Sequence, residues 1–82
     1  MFRKVFEYVE DNKLKITIYK NKIDILNYNK IIILEDEKIV IDCKEMVISI
    51  KGKSLNINKL YDKEILISGT ITSIEFKWLI II

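Results

Sequence analysis

Apolar residues alternate with polar ones along most of this chain, and the period is two. In Lys13–Tyr19, Leu14, Ile16 and Ile18 fall on one face, with Lys15 and Thr17 on the other. Lys22–Tyr28 repeats the pattern with Ile23 and Ile25, after a polar Lys20-Asn21 turn. Ile31–Leu34 is a short continuous apolar run, which reads as a strand buried on both faces and closed by Glu35-Asp36-Glu37. Lys38–Cys43 points Ile39 and Ile41 inward, Lys44-Glu45 reverses the chain, and Met46–Lys51 points Met46, Ile48 and Ile50 inward. Gly52-Lys53 reads as a further turn, because glycine reaches positive φ without steric cost. A strand with Leu55, Ile57 and Leu60 follows, then Glu64–Ser68 with Ile65 and Ile67, then Gly69 and a last strand, Thr70–Trp78. The step from Ile71 to Ile74 is odd, so one extra residue near Thr72-Ser73 predicts a β-bulge.

This predicts an all-β domain of seven or eight short strands spaced like those of a small antiparallel sandwich or barrel. A short β-roll or parallel solenoid is the alternative, although the units lack a fixed period. Residues 1–12 form a short N-terminal segment. Phe2, Val5, Phe6 and Val9 stand there at helical spacing, enough for a helical turn or two that would be marginal alone. Residues 13–82 form the single β domain.

Composition supports this reading and narrows the chemistry. Half of the 82 residues are apolar and 32% are charged, which suits a globular fold. Isoleucine, valine, tyrosine and threonine dominate while alanine is absent, a bias toward pleated strands. The net charge of +2 is interleaved along the chain, so no nucleic-acid surface is expected. Met1–Glu10 lacks a signal peptide's apolar stretch, and the longest apolar run, Trp78–Ile82, is far too short to span a bilayer. A cytoplasmic protein is therefore expected.

The chain has no histidine, the usual positioned base, and its two glycines are too far apart for a phosphate loop. No Cys/His cluster exists for zinc, and Glu35-Asp36-Glu37 reads as a solvated turn before it reads as a calcium site. Cys43 is expected to be a small buried strand residue. The expectation is thus no enzyme, no catalytic residue, no metal and no cofactor. Tyr19, Tyr28, Tyr61, Phe76 and Trp78 are expected in the core or half-buried, with stacking on bases or sugars as the alternative. Trp78, Leu79, Ile80, Ile81 and Ile82 form the candidate interaction segment, because chain ends are normally polar and mobile.

From Asn21 onward the chain resembles the YabP/YqfC family of sporulation proteins, closer to the YqfC branch. The resemblance rests on Met46–Leu60 and on Glu64–Phe76, where Ile67, Gly69, Ile71, Ser73, Ile74 and Phe76 fit the family's closing I-x-G-x-I-x-S-I-x-F pattern. Gly52 fits the family's I-x-G strand end; Gly52, Gly69, Ser73 and Phe76 are the structural positions of the motif. The chain departs from the family pattern in having no proline and in beginning close to its first strand. The resemblance implies an immunoglobulin-like β-sandwich without enzymatic activity. It further implies a protein made in the mother cell and used in spore cortex or coat assembly. Its mode of action would be protein contact at the forespore outer membrane, with a sporulation membrane protein as partner; the apolar run Trp78–Ile82 itself offers homo-oligomerisation as a further option. A ligand-binding β module, for glycan or single-stranded nucleic acid, is the alternative.

Overall fold

The computed structural model describes residues 13–79. The helical spacing at Phe2–Val9 and the terminal Ile80, Ile81 and Ile82 lie outside the described residues. Among the described residues six strands are present: β1 (Lys15–Ile18), β2 (Lys22–Leu26), β3 (Lys30–Leu34), β4 (Lys38–Asp42), β5 (Met46–Leu60) and β6 (Glu64–Trp78). They form one antiparallel sheet in the order β1-β2-β6-β5-β4-β3.

The all-β class holds, and three details differ from the sequence reading. The strands number six, they form one sheet where an immunoglobulin-like sandwich has two, and none pairs in parallel as a solenoid requires. The count falls because Gly52-Lys53 and Gly69 are not turns. Each lies inside a fifteen-residue strand, at a place where the pairing of β5 with β6 slips.

The slips bend the long hairpin, and the bend explains both glycines. A Cβ on Gly52 would stand 1.9 Å from the Thr70 carbonyl oxygen, so the two backbones cross where no side chain fits. Gly69 has φ +133°, and a Cβ there would meet the Ser54 carbonyl oxygen at 2.7 Å. Lys51 opposes Ser73 whereas Gly52 opposes Ile71, leaving Thr72 as the extra residue of a bulge. That is the bulge predicted from the Ile71–Ile74 step. The Thr72 hydroxyl donates to the Lys51 carbonyl across it, at 3.1 Å.

Two turns pin the bend. The β3–β4 turn offers the Asp36 carbonyl to the Leu55 N–H (2.8 Å) and the Glu37 carbonyl to the Gly52 N–H (3.1 Å). The β1–β2 turn offers the Asn21 carbonyl to the Gly69 N–H at 3.2 Å.

Ile23, Ile25, Ile65 and Ile67 on one side of the bend, and Ile39, Ile41, Ile48 and Ile50 on the other, are fully buried in one cluster. A flat single sheet covers each side chain from one side only, so complete burial requires the sheet to curl over and face itself. Each such isoleucine contributes roughly 1.5–3 kcal/mol of burial. These eight, with Met46 and Leu55, are among the inward positions read from the alternation; Ile18 and Leu60, read onto the same faces, are exposed.

The apolar run 31–34 is an edge strand, not one buried on both faces. Ile32 and Leu34 are exposed, and a bulge at Ile31/Ile33 interrupts its pairing with β4. Edge strands commonly carry such irregularities, which blunt them against unwanted pairing.

Candidate interaction surface

The curled sheet leaves the C-terminal half of β6 as an edge. Its first half lies between β2 and β5, but β2 ends its pairing at Ser68. From Ser73 to Trp78 the strand pairs with Met46–Lys51 of β5, without a slip, and with no other strand among the described residues. Its inward-pointing side chains follow from that register. Ile74 stands beside Ile50, Phe76 beside Ile48 and Trp78 beside Met46. The β5 partners are buried, yet Phe76 is 46% exposed and Trp78 62% exposed. Leu79, at 46%, continues the patch and donates its N–H to the Glu45 carbonyl at 2.9 Å.

The aromatic side chains were expected inside, and the structure places most of them outside. Tyr19 and Tyr61 are more than half exposed, like Trp78; Tyr28 alone is half-buried, packing on the core and donating its hydroxyl to the Tyr61 carbonyl at 3.3 Å. Isoleucine is abundant enough to fill the core, which leaves the rings at turns and edges. Of the candidate interaction segment, Trp78 and Leu79 are surface residues on the open edge. Of the motif positions, Gly52 and Gly69 shape the bend, Ser73 begins the regular edge, and Phe76 is part of the patch.

Trp78 also walls a cleft of about 560 Å³ at one end of the curled sheet, with Tyr28, Met46, Lys13, Lys44 and Lys63 among its lining. Its rim is built by turns that fix one another. The Asn29 side chain donates to the Asp42 carboxylate at 2.8 Å, and the Lys44 N–H donates to the same group at 3.0 Å. The Asn29 bond, the Lys44 N–H and the charge of Lys30 hold the Asp42 carboxyl below its usual range. Cys43, also on the cleft, is buried immediately after β4. Burial and the neighbouring Asp42 charge push its thiol up to about 11, so it stays protonated and non-nucleophilic at neutral pH.

A second arrangement escaped the sequence reading. Asp24 on β2 and Glu64 on β6 lie diagonally across the polar outer face of the sheet, in a shallow 430 Å³ depression with Lys59, Lys22 and Tyr19. Hydrogen bonding to the Asp24 carboxyl, then like-charge repulsion and slight desolvation, raise the Glu64 carboxyl above its ordinary range, against the pull of Lys59. The residues are forty positions apart, and only the β2–β6 register, invisible in local periodicity, brings them together. Two carboxylates without a third donor make a poor cation site, and no group of three or more His, Cys, Asp or Glu converges among the described residues.

Among the described residues no helix is long and apolar enough to cross a membrane. The chain matches the family model of the YabP family over residues 10–78, a span that contains all six strands. No curated protein and no solved structure matches it.

Proposed function

This chain belongs to the YabP family, a membership consistent with a sporulation-related role, and from that premise we propose that it is a non-enzymatic accessory protein of spore assembly. It acts in the mother cell, in the building of cortex or coat, through contact with another protein at the outer forespore membrane. The observation that carries the contact part is the uncovered Phe76-Trp78-Leu79 patch on a strand whose outer edge is unpaired among the described residues. Exposed apolar side chains beside free backbone donors and acceptors suit strand addition, in which main-chain bonds supply affinity and alternate side chains supply specificity. The absence of histidine from the whole chain supports a role without general acid–base catalysis.

The test is fluorescence localisation of a tagged copy in a sporulating endospore former, with a copy truncated before Trp78 beside it. A shell around the forespore that the truncation loses is the expected result. Diffuse signal from the intact protein would sink the proposal.

A second reading, as a glycan-binding module, draws on the exposed rings and on the three lysines around the Trp78 cleft. Sugars stacked on Trp78 would change its fluorescence on titration with peptidoglycan fragments, and a flat titration would dismiss this alternative.

A further inference from the structure

The open edge of β6 is self-complementary. The Leu79 N–H bonds to Glu45 across the β5–β6 pair. Backbone groups alternate sides along a strand, so those of Lys77 and Glu75 also turn toward β5. Those of Ile74, Phe76 and Trp78 then turn outward, toward the free edge. The Cys43 N–H, bonded to the Met46 carbonyl at 2.8 Å, fixes the same phase independently, since it directs the Met46, Ile48 and Ile50 backbones toward β4.

Lay a second copy antiparallel on this edge, with the two-fold axis through Phe76. Phe76 then opposes Phe76 of the other copy, and Ile74 opposes Trp78, in both directions. These are the residues whose backbone groups face out, so each pair can exchange both main-chain hydrogen bonds. Between them Glu75 opposes Lys77 twice, in the non-hydrogen-bonded positions where cross-strand side chains stand closest. Apolar side chains meet apolar ones on the inner face, and opposite charges meet on the outer face.

We propose that this protein forms a two-fold symmetric homodimer by antiparallel pairing of residues 74–78, with Phe76 at the axis and reciprocal Glu75–Lys77 pairs. The inference deepens the contact reading above and rests on its choice of this strand; the partner it names is a second copy. The other edges left unpaired among the described residues fit less well. β5 beyond Lys51 pairs only with β6, carries a slip between Ile57 and Lys59, and has no acidic residue to meet its lysines. β3 carries the bulge at Ile31/Ile33, and an antiparallel copy centred on Ile32 would bring no opposite charges together. β1 is four residues long. An isologous contact closes on itself, so the product is a dimer and not a fibre. A single pair of short strands is a small interface, and association in the micromolar range is expected.

Sedimentation velocity on the purified full chain across micromolar concentrations tests this, with three variants. Glu75→Lys turns both charge pairs into Lys–Lys, and Lys77→Glu turns both into Glu–Glu; each is expected to weaken the dimer about tenfold or more. The double variant, Glu75→Lys with Lys77→Glu, restores opposite charges in the same register and is expected to dimerise again. A monomeric wild type, single variants without effect, or a double variant as weak as the singles would each overturn the proposal. Should the charge variants fold poorly, Phe76→Cys in a Cys43→Ser background decides it. The axial Cα atoms would stand about 5.5 Å apart, within disulfide reach, so oxidation should give a cross-linked dimer, and its failure to do so would overturn the pairing. A monomer that still encircles the forespore defeats this inference alone. A dimer in solution beside diffuse signal in cells supports it and defeats the sporulation reading.

Discussion

Replacing Gly52 by alanine separates two accounts of that residue. Gly52 is not at positive φ, so with open space around it alanine would stabilise the protein by about 0.4–1 kcal/mol, by restricting the unfolded chain. In the structure the added methyl would sit 1.9 Å from the Thr70 carbonyl oxygen and 2.9 Å from its carbon. The obstacle is backbone, so it cannot swing away as the end of a flexible side chain would. Either the crossing opens, breaking the Gly52 N–H bond to Glu37, or the bulge at Thr72 is lost. Overpacking costs about 1–3 kcal/mol where a core can give; with the backbone resisting, Gly52→Ala should cost about 3 kcal/mol or more. A domain of this size has roughly 4–12 kcal/mol in total. The melting temperature should fall by about 12–24 °C, and the urea midpoint should fall with it. A variant as stable as the wild type, or more so, would refute the crossing.

The other predictions concern the core, two carboxylates and the thiol. Ile48→Ala should cost about 2–5 kcal/mol in chemical denaturation, while Ile32→Ala, on the exposed edge, should cost well under half of that. Asp42 has a lowered pKa, so its contribution is present above the ordinary carboxylate pKa near 4 and is lost as pH falls through the folded value. Asp42→Asn should therefore lower the melting temperature at pH 7 and lose its effect at strongly acid pH. Glu64 has the opposite sign. Its raised pKa means that the fold favours the protonated form, so stability should rise as pH drops from neutral toward the ordinary Glu value. Glu64→Gln should raise the pH 7 melting temperature and flatten that slope. Cys43 should resist Ellman's reagent in the native protein near pH 8 and react fully once urea unfolds it.

What was legible in the sequence was whatever alternation records. The inward isoleucines from Ile23 to Ile67 and the bulge at Thr72 were readable because a period of two shows both a face and a slip in it. The same logic applied to Ile50 and Leu55, whose odd separation is also a slip. There the glycine between them suggested a turn, and the strand count came out too high. Local pattern does not distinguish a glycine that turns the chain from one that lets two strands cross, because the distinguishing atom, the Thr70 oxygen, is eighteen positions away. The outward aromatics had a related cause. Phe76 and Trp78 keep the inward phase of their strand, but that stretch is an edge that pairs with β5 alone among the described residues. The Asp24–Glu64 pair likewise depends on register between distant strands.

The proposed role of this YabP-family member is to serve spore formation through the open edge of β6. Its most direct test is deletion and complementation in a sporulating host that encodes it, scored by the yield of heat-resistant spores. Deletion should lower that yield, the wild-type copy should restore it, and a folded Phe76→Asp/Trp78→Asp copy should not. Normal spores without the protein, or full rescue by the edge variant, would contradict the claim.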